Sequence, residues 1–453
     1  MEKTNVLVVG GSAAGIVTAV VGKSNYPDKE FLLVRKEKEV LVPCGIPYIF
    51  GTLKNIDKNN IPDAVLGNAG VNLKIGEVVT VDTENNVCAL ADGTEIGYEK
   101  LVLATGSTPS IPGWLKGAEH ENVFTIKKDK EYLANLLSKL EAFKKIVIIG
   151  GGFIGVEVAD ELNKLGKDIT IVEILPHLLG LVFDEQMTVR VEELLGSRGV
   201  TIKNNNGVRE ICGEGTVSHV LLNSGEELEA DAVICALGYQ PNSTVAEKSG
   251  IDINSMGYII VDEYMRTHTP NVFAVGDCAE KRDFFSRRLS KVMLASTATS
   301  EARIAGMNLY NLSAVKTFGG TISIFSTAIG DDAFGAAGLI ESTARKEGFN
   351  IVTGTFEGVD RHPGSLADTH KQMVKLIVAR ESGIILGGEV YGGSSAGELI
   401  NLLGYMVQNK MSINNVLTSQ IGTHPLLTAP PTAYPLIKAA ENVLKIIKAN
   451  NNA

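Results

Sequence analysis

The chain has 453 residues, 44% of them apolar and 21% charged, with 48 glycines and few aromatic residues. That is the composition of a globular α/β protein rich in tight turns, and it is too long for one ordinary core, so three domains are expected. A formal net charge of -10 without a run of Lys or Arg argues against a nucleic-acid partner, and no uninterrupted apolar run of about 18 residues offers itself as a membrane span.

From the N-terminus, the apolar run Asn5 to Val9 predicts a strand rather than a signal peptide. It leads into Gly10-Gly11-Ser12-Ala13-Ala14-Gly15 and then an Ala/Val-rich helix. In such a strand, glycine turn and helix, Gly10 permits the sharp turn and Gly15 the close packing of helix on strand. The backbone N–H groups at the helix start point at a pyrophosphate. Ser12 stands where the middle glycine is usual, and Ala13 and Ala14 complete the loop. The strand that closes this unit ends in Leu32-Leu33-Val34-Arg35, a cation where a ribose-binding acid is expected, with Glu37 as its substitute.

Cys44 follows in Val42-Pro43-Cys44-Gly45-Ile46-Pro47-Tyr48. The Pro/Gly setting predicts the start of a helix, where a thiolate is stabilised; the alternative is a small buried hydrophobe. Cys88, Cys212, Cys235 and Cys278 are read as such hydrophobes. Five cysteines without C-x-x-C spacing fit a reducing compartment, by default the cytoplasm, and neither they nor the histidines show metal-ligand spacing, so no metal is expected.

The glycine pattern recurs at Lys145 to Ile149, followed by Gly150-Gly151-Gly152-Phe153-Ile154-Gly155 and a helix over Val156 to Leu165, ended by Gly166. Strand Ile169 to Val172 closes the unit, with Glu173 placed to accept hydrogen bonds from an adenosine ribose. Its charge would repel a 2'-phosphate, which favours NADH, with NADPH as the alternative. Val275-Gly276-Asp277 then returns to the first theme. From about Phe318 the texture changes to β-rich segments, Thr321 to Phe325 and Met373 to Ala379, and helices at Ala396 to Gln408 and Leu436 to Ile447, with a frayed tail at Asn450 to Ala453.

The expected fold is therefore α/β, with two Rossmann-like dinucleotide-binding domains and a C-terminal α+β domain. The first is discontinuous, residues 1–115 and 243–317; the second covers 116–242 and the third 318–453.

These features resemble the FAD-dependent pyridine nucleotide-disulfide oxidoreductases, specifically the single-cysteine branch with coenzyme A disulfide reductases, NADH oxidases and polysulfide reductases. Further motifs carry the resemblance: Ala104-Thr105-Gly106, the crossover segment Ala236 to Asn242 with Gly238, and Gly276-Asp277. It implies FAD in the first domain and NAD(P)H in the second. Asp277 would hold the flavin's ribitol, with Ala104, Thr105 and Gly106 near the flavin nucleotide and Pro43 and Cys44 beside its ring. Two-cysteine relatives carry a second cysteine five positions on, where this chain has Ile49, so no internal disulfide relay is expected.

The resemblance also makes Phe153 a gate over the flavin, against a core aromatic, and Glu157 the carboxylate near the nicotinamide, against a solvated charge. His424-Pro425 resembles the acid/base His-Pro that a partner subunit supplies in two-cysteine relatives, but the orienting Glu is Ala429 here. A structural histidine is the rival reading, and Tyr434 is a second proton donor. Coenzyme A disulfide reductases have Ser and Phe where this chain has Val40 and Leu41, and paired arginines in the first helix where it has only Lys23, so coenzyme A remains a candidate without a visible phosphate clamp. The implied activity is NAD(P)H-dependent reduction of a small disulfide, persulfide or polysulfide by a homodimer. The alternatives are an NADH oxidase forming water or peroxide, and a flavin redox sensor or reductase of a protein partner.

Overall fold

The computed structural model describes residues 1–313 and 317–451. They form two compact units: Met1–Val172 with Asn206–Lys281 and Leu289–Gly319, and Glu173–Asn205 with Arg282–Arg288 and Gly320–Ala453.

Two mainly parallel sheets carry the first unit, the first extended by the antiparallel strands Val87–Leu90 and Val78–Asp82. In one, the order runs Asn72–Ile75, Phe31–Arg35, Glu2–Val9 and Glu95–Leu103, with Val272–Ala274 beside the last. In the other it runs Val123–Thr125, Ala232–Cys235, Lys145–Ile149 and Asp168–Val172. The strands Val6 to Val9 and Ile146 to Ile149 are buried throughout, as parallel strands covered on both faces must be, which explains their continuous Val/Ile/Leu runs. Each is followed by a helix, Ala13–Asn25 and Phe153–Asn163. The second helix begins three residues before the expected Val156, because Gly152 already serves as its N-cap and Val156 N–H bonds back to Gly152 O. Gly166 adopts the left-handed conformation expected of a helix terminator.

The second unit is built on an antiparallel sheet in the order Phe325–Ile329, Asp332–Gly338, Ile385–Gly392, Lys371–Ala379 and Ile351–Val359. Val374, Leu376 and Val378 share a core with Leu399, Ile400, Leu403 and Val407 of helix Ala396–Gln408 and with Leu436, Ala439 and Val443 of helix Pro435–Asn451. Thr321 to Phe325 is not a strand as expected. Ser323 takes a positive φ of 47° and its N–H bonds Thr321 Oγ1, so extended pairing begins only at Phe325. The expected frayed tail falls partly outside the described residues, at Asn452 and Ala453, and the helix runs to Asn451. The two Rossmann-like sheets and the C-terminal α+β unit are both present.

Lys375 is an interior cation in this sheet. Its ammonium lies 2.8 Å from Asp184, 2.9 Å from Glu341 and 3.6 Å from Glu389, its register partner on the neighbouring strand. Glu389 accepts the Asp184 N–H through Oε1, while its buried Oε2 has no hydrogen-bond partner. Burial and the Asp184 charge push the Glu389 carboxyl up from 4.5 to about 8. Asp184, although burial opposes it, is held down at about 2 by Lys375 and by the Ser342 N–H. A carboxyl raised in the folded state contributes stability that is complete below its ordinary value and is lost as pH climbs to about 8. Glu389→Gln is therefore expected to flatten the fall in melting temperature between pH 5 and 8. Lys375→Met, which strands the carboxylates, should cost about 3–5 kcal/mol at neutral pH. Thermal melts across that range decide both, and an unchanged pH slope in Glu389→Gln would refute the assignment.

Candidate functional site

The two glycine loops have the same internal geometry. Gly10 and Gly150 sit at φ 117° and 105°, a region open to glycine and strained for other residues. A β-carbon on Gly10 would lie 2.1 Å from the Ala104 carbonyl oxygen, and one on Gly150 would lie 2.5 Å from that of Ala236. One turn on, a β-carbon on Gly15 or Gly155 would strike the carbonyl oxygen of Gly10 or Gly150, at 1.9 and 2.0 Å. Ser12 and Gly152 are the N-caps; the Ser12 hydroxyl makes no capping bond and Gly152 has no side chain to make one. The first N–H groups thus face outward in both copies, with no β-carbon clash within 4 Å at Gly152. A pyrophosphate fits such a helix start.

Three of the expected segments meet at the first loop. The Gly10 turn packs on Ala104, and Gly276 lies so close to Ala14 that a β-carbon on it would come within 2.9 Å of the alanine methyl. The segments after Ala104 and around Gly238 are themselves joined. Ser107–Pro109 pairs antiparallel with Tyr239–Pro241, Asn242 N–H bonds Gly106 O at 2.9 Å, and Ser110 N–H bonds Gly238 O at 2.9 Å. Thr105 donates its hydroxyl to Asn242 O. These residues fit a dinucleotide laid along the loop, with Asp277 at its side.

Arg35 is used differently from what its strand-end position suggests. Its buried guanidinium forms a fork to Asp63 at 2.7 and 2.9 Å and bonds the Glu37 and Lys38 carbonyls at 2.8 Å, directly beneath Gly11. Glu37 supplies that carbonyl while its side chain is half-buried. Lys23 is likewise committed, to the Pro27 and Lys29 carbonyls.

Cys44 occupies a single 3-10 turn, Pro43–Gly45, and not the start of a helix. Asn59 staples this turn: Val42 N–H bonds Asn59 O, Asn59 Nδ2 donates to Val42 O, and Gly45 leaves no room for a β-carbon beside the amide. The following turn, Pro47–Ile49, packs against helix Phe153–Asn163. Glu161 of that helix accepts from both the N–H and the hydroxyl of Thr52. The cysteine loop is therefore fastened to the helix that carries Phe153, Ile154 and Glu157. Phe153 and Glu157 are half-buried at its first turns.

The electrostatics correct the expectation of a stabilised thiolate. The Cys44 side chain reaches solvent, yet burial by its surroundings and the Glu157 carboxylate push the thiol above its ordinary value, with Lys128 opposing. A three-residue turn lacks the aligned peptides needed to lower it. Tyr48 is also pushed up, by burial and by Glu157 and Glu161.

Lys128 escaped the sequence reading. Its ammonium bonds Asp277 and Ser107 at 3.0 Å, and Ser107 donates to the same Asp277 oxygen at 2.7 Å. Burial would raise the Asp277 carboxyl, but Lys128, Ser107 and Lys281 hold it below its ordinary value. No local motif marks Lys128, since its partners lie 149 and 21 residues away.

His424, Tyr434 and Glu173 belong to the second unit. His424 is exposed, and its Nδ1 accepts the Leu426 N–H at 3.2 Å. In the neutral ring the proton then sits on Nε2. A backbone donor thus orients this imidazole where relatives are expected to use a Glu, and Ala429 is buried. Tyr434 is half-buried against the helical core, and burial pushes its phenol up. Glu173 follows strand Asp168–Val172 and accepts the Leu175 N–H at 2.8 Å.

The pyridine nucleotide-disulphide oxidoreductase family matches residues 4–302, and the dimerisation domain of that family matches 324–434. The chain belongs to this family. As a member it is an NAD(P)H-dependent oxidoreductase that takes FAD and NAD(P)H. It is similar to a protein named NADH oxidase from Methanocaldococcus jannaschii, 30% identical over 420 residues that cover 90% of this chain and 91% of the other. An NAD(P)H coenzyme A polysulfide/persulfide reductase from Pyrococcus horikoshii is 32% identical over 401 residues, 86% and 88% of the two chains. Among solved structures, an NAD-dependent persulfide reductase from A. fulgidus aligns with a TM-score of 0.89 and 27% identity over 99% of this chain and 84% of that one. Among the described residues, no helix of this oxidoreductase is long and apolar enough to cross a membrane.

Because Glu157 raises the Cys44 thiol and Lys128 lowers it, Glu157→Gln should speed alkylation of Cys44 by iodoacetamide at pH 8 by about a few fold, and Lys128→Met should slow it. Peptide mass spectrometry of Cys44 reads both, and a rate indifferent to either charge would contradict the assignment.

Proposed function

We propose that this oxidoreductase reduces a small disulfide, persulfide or polysulfide at the expense of NADH, with Cys44 as its one redox-active thiol. The observation that carries the reading is the solvent-reaching Cys44 on a loop fastened by Glu161 to the helix of the second glycine loop. It supplies what an acceptor needs: an accessible sulfur beside the route by which electrons arrive.

Bound FAD supplies the two-electron relay between nicotinamide and sulfur. The chain's own residues do the rest. Gly10 to Gly15, Ala104 to Gly106 and Gly276-Asp277 hold one dinucleotide; Gly150 to Gly155 hold the other, with Glu173 against its ribose. In our domain reading, 1–115 with 243–317 takes FAD, 116–242 takes NADH and 318–453 pairs two copies. The Cys44 sulfur, once deprotonated, attacks one sulfur of the acceptor RSSR, forming Cys44–S–S–R and expelling RS⁻. Two electrons from NADH then cleave that bond, restoring the Cys44 thiolate and releasing the second thiol. The sum is NADH + H⁺ + RSSR giving NAD⁺ and two RSH. The reading assigns His424 of a second copy to protonate the leaving thiolate, which it does as the imidazolium. Such chemistry suits a reducing cytoplasm.

Some relatives bear the name NADH oxidase, which makes oxygen the rival acceptor. An anaerobic panel with NADH, including coenzyme A disulfide and polysulfide, is expected to release thiol at rates well above oxygen consumption in air. Cys44→Ser should lose disulfide turnover by at least about 10³-fold while NADH still bleaches the flavin. Sulfur turnover that survives in Cys44→Ser sinks the thiol's role. Oxygen consumption without thiol release favours the oxidase, and no turnover with any small acceptor favours a sensor or a protein partner.

Glu173→Ala should shift the ratio of kcat/KM for NADH over NADPH by about tenfold, roughly 1.4 kcal/mol, toward NADPH. Steady-state kinetics with both nucleotides measure it, and an unmoved ratio removes Glu173 from the ribose site.

A further inference from the structure

Helix Ala295–Met307 sends one carboxylate, Glu301, wholly into the interior of the first unit. Its Oε2 accepts the Gly276 N–H at 2.8 Å, and its Oε1 has no hydrogen-bond partner. The nearest cation is Lys281, also buried, whose ammonium stands 3.8 Å from Oε1. That ammonium donates to the Gly276 carbonyl at 3.0 Å and the Ala279 carbonyl at 2.9 Å. A carboxylate and an ammonium thus hold the N–H and C=O of one residue, from two different elements.

An ion pair removed from water at this depth is weak evidence for stability, since apolar side chains of the same volume often do as well or better. What sets this pair apart is where its hydrogen bonds go. All of them end on the turn Gly276–Cys278 and the residue that follows it, and Gly276 itself has φ 79° and lies against Ala14 of the glycine loop. The next residue, Asp277, is gripped from the opposite side by Lys128 and Ser107. The turn is fixed by side chains at both its peptide and its carboxylate, with anchors drawn from separate stretches of the chain.

We propose that Glu301 and Lys281 are positioning residues for the flavin site, presetting the Gly276–Asp277 turn so that its peptide and carboxylate meet the dinucleotide without rearrangement. This rests on the reading that the first glycine loop and Asp277 hold FAD. Neither residue touches the cofactor in this account; both act through Gly276.

The test compares Glu301→Gln, Glu301→Ala, Lys281→Met and the double variant Glu301→Leu/Lys281→Met. The readouts are the FAD dissociation constant, the visible circular dichroism of the bound flavin, and the far-UV spectrum and melting temperature. Glu301→Gln retains an oxygen for the Gly276 N–H and is expected to bind FAD within about threefold of wild type with an unchanged flavin spectrum. Glu301→Ala and Lys281→Met should weaken FAD by about tenfold or more and alter that spectrum. The double variant removes both charges, so it is expected to fold even where a single one fails, and still to bind FAD weakly. Wild-type affinity and flavin dichroism in a folded Glu301→Ala or in the double variant would overturn the proposal, as would a Gln variant as impaired as Ala. A wild-type protein that cannot take up FAD at all would overturn the flavin reading and this inference with it, a result distinct from loss in the variants alone.

Discussion

No β-carbon fits between Gly10 and the carbonyl of Ala104, and the first nucleotide site follows from that contact. Because the turn can lie directly on the neighbouring strand end, helix Ala13–Asn25 starts at the C-terminal end of an interior strand with no side-chain cap on its first N–H groups. Because Gly15 also lacks a β-carbon, the helix packs back onto the same turn. The second loop repeats the arrangement with Ala236 in the place of Ala104. The Gly276–Asp277 turn lies against Ala14 of the first loop, and the crossover pair joins the segment that follows Ala104.

The charges around Cys44 then decide what kind of thiol it is. Glu157 and the loss of water hold the proton on sulfur, Lys128 pulls the other way, and Lys128 is shared with Asp277. The state of this thiol therefore depends on Glu157 and Lys128, and of the three side chains Lys128 is the one that stands outside any recognisable motif.

That division explains what was legible in the sequence. The glycine loops and their strands were legible because backbone geometry imposes fixed spacing on them, while Asp277 and Cys44 were marked for the site by the family resemblance. Lys128, Ser107, Lys281 and Glu301 were not, since no fixed spacing ties any of them to the residue it acts on. The Pro/Gly context suggests a helix start at Cys44, whereas the chain makes two short 3-10 turns there, Pro43–Gly45 and Pro47–Ile49, and the Glu157 charge comes from another segment. The false strand at Thr321 to Phe325 failed on a local feature, the left-handed Ser323, which β-branched neighbours disguised.

The missing coenzyme A signature has a structural explanation as well. Val40 and Leu41, which stand where a Ser and a Phe were sought, pair with Asn60 and Ile61 in a two-stranded ladder and are buried. At those positions an apolar side chain serves the packing of the loop, so their identity speaks first to how Cys44 is supported. Val42, two residues before the cysteine, is exposed, and Lys23, the nearest counterpart of the arginine pair, spends its donors on backbone carbonyls.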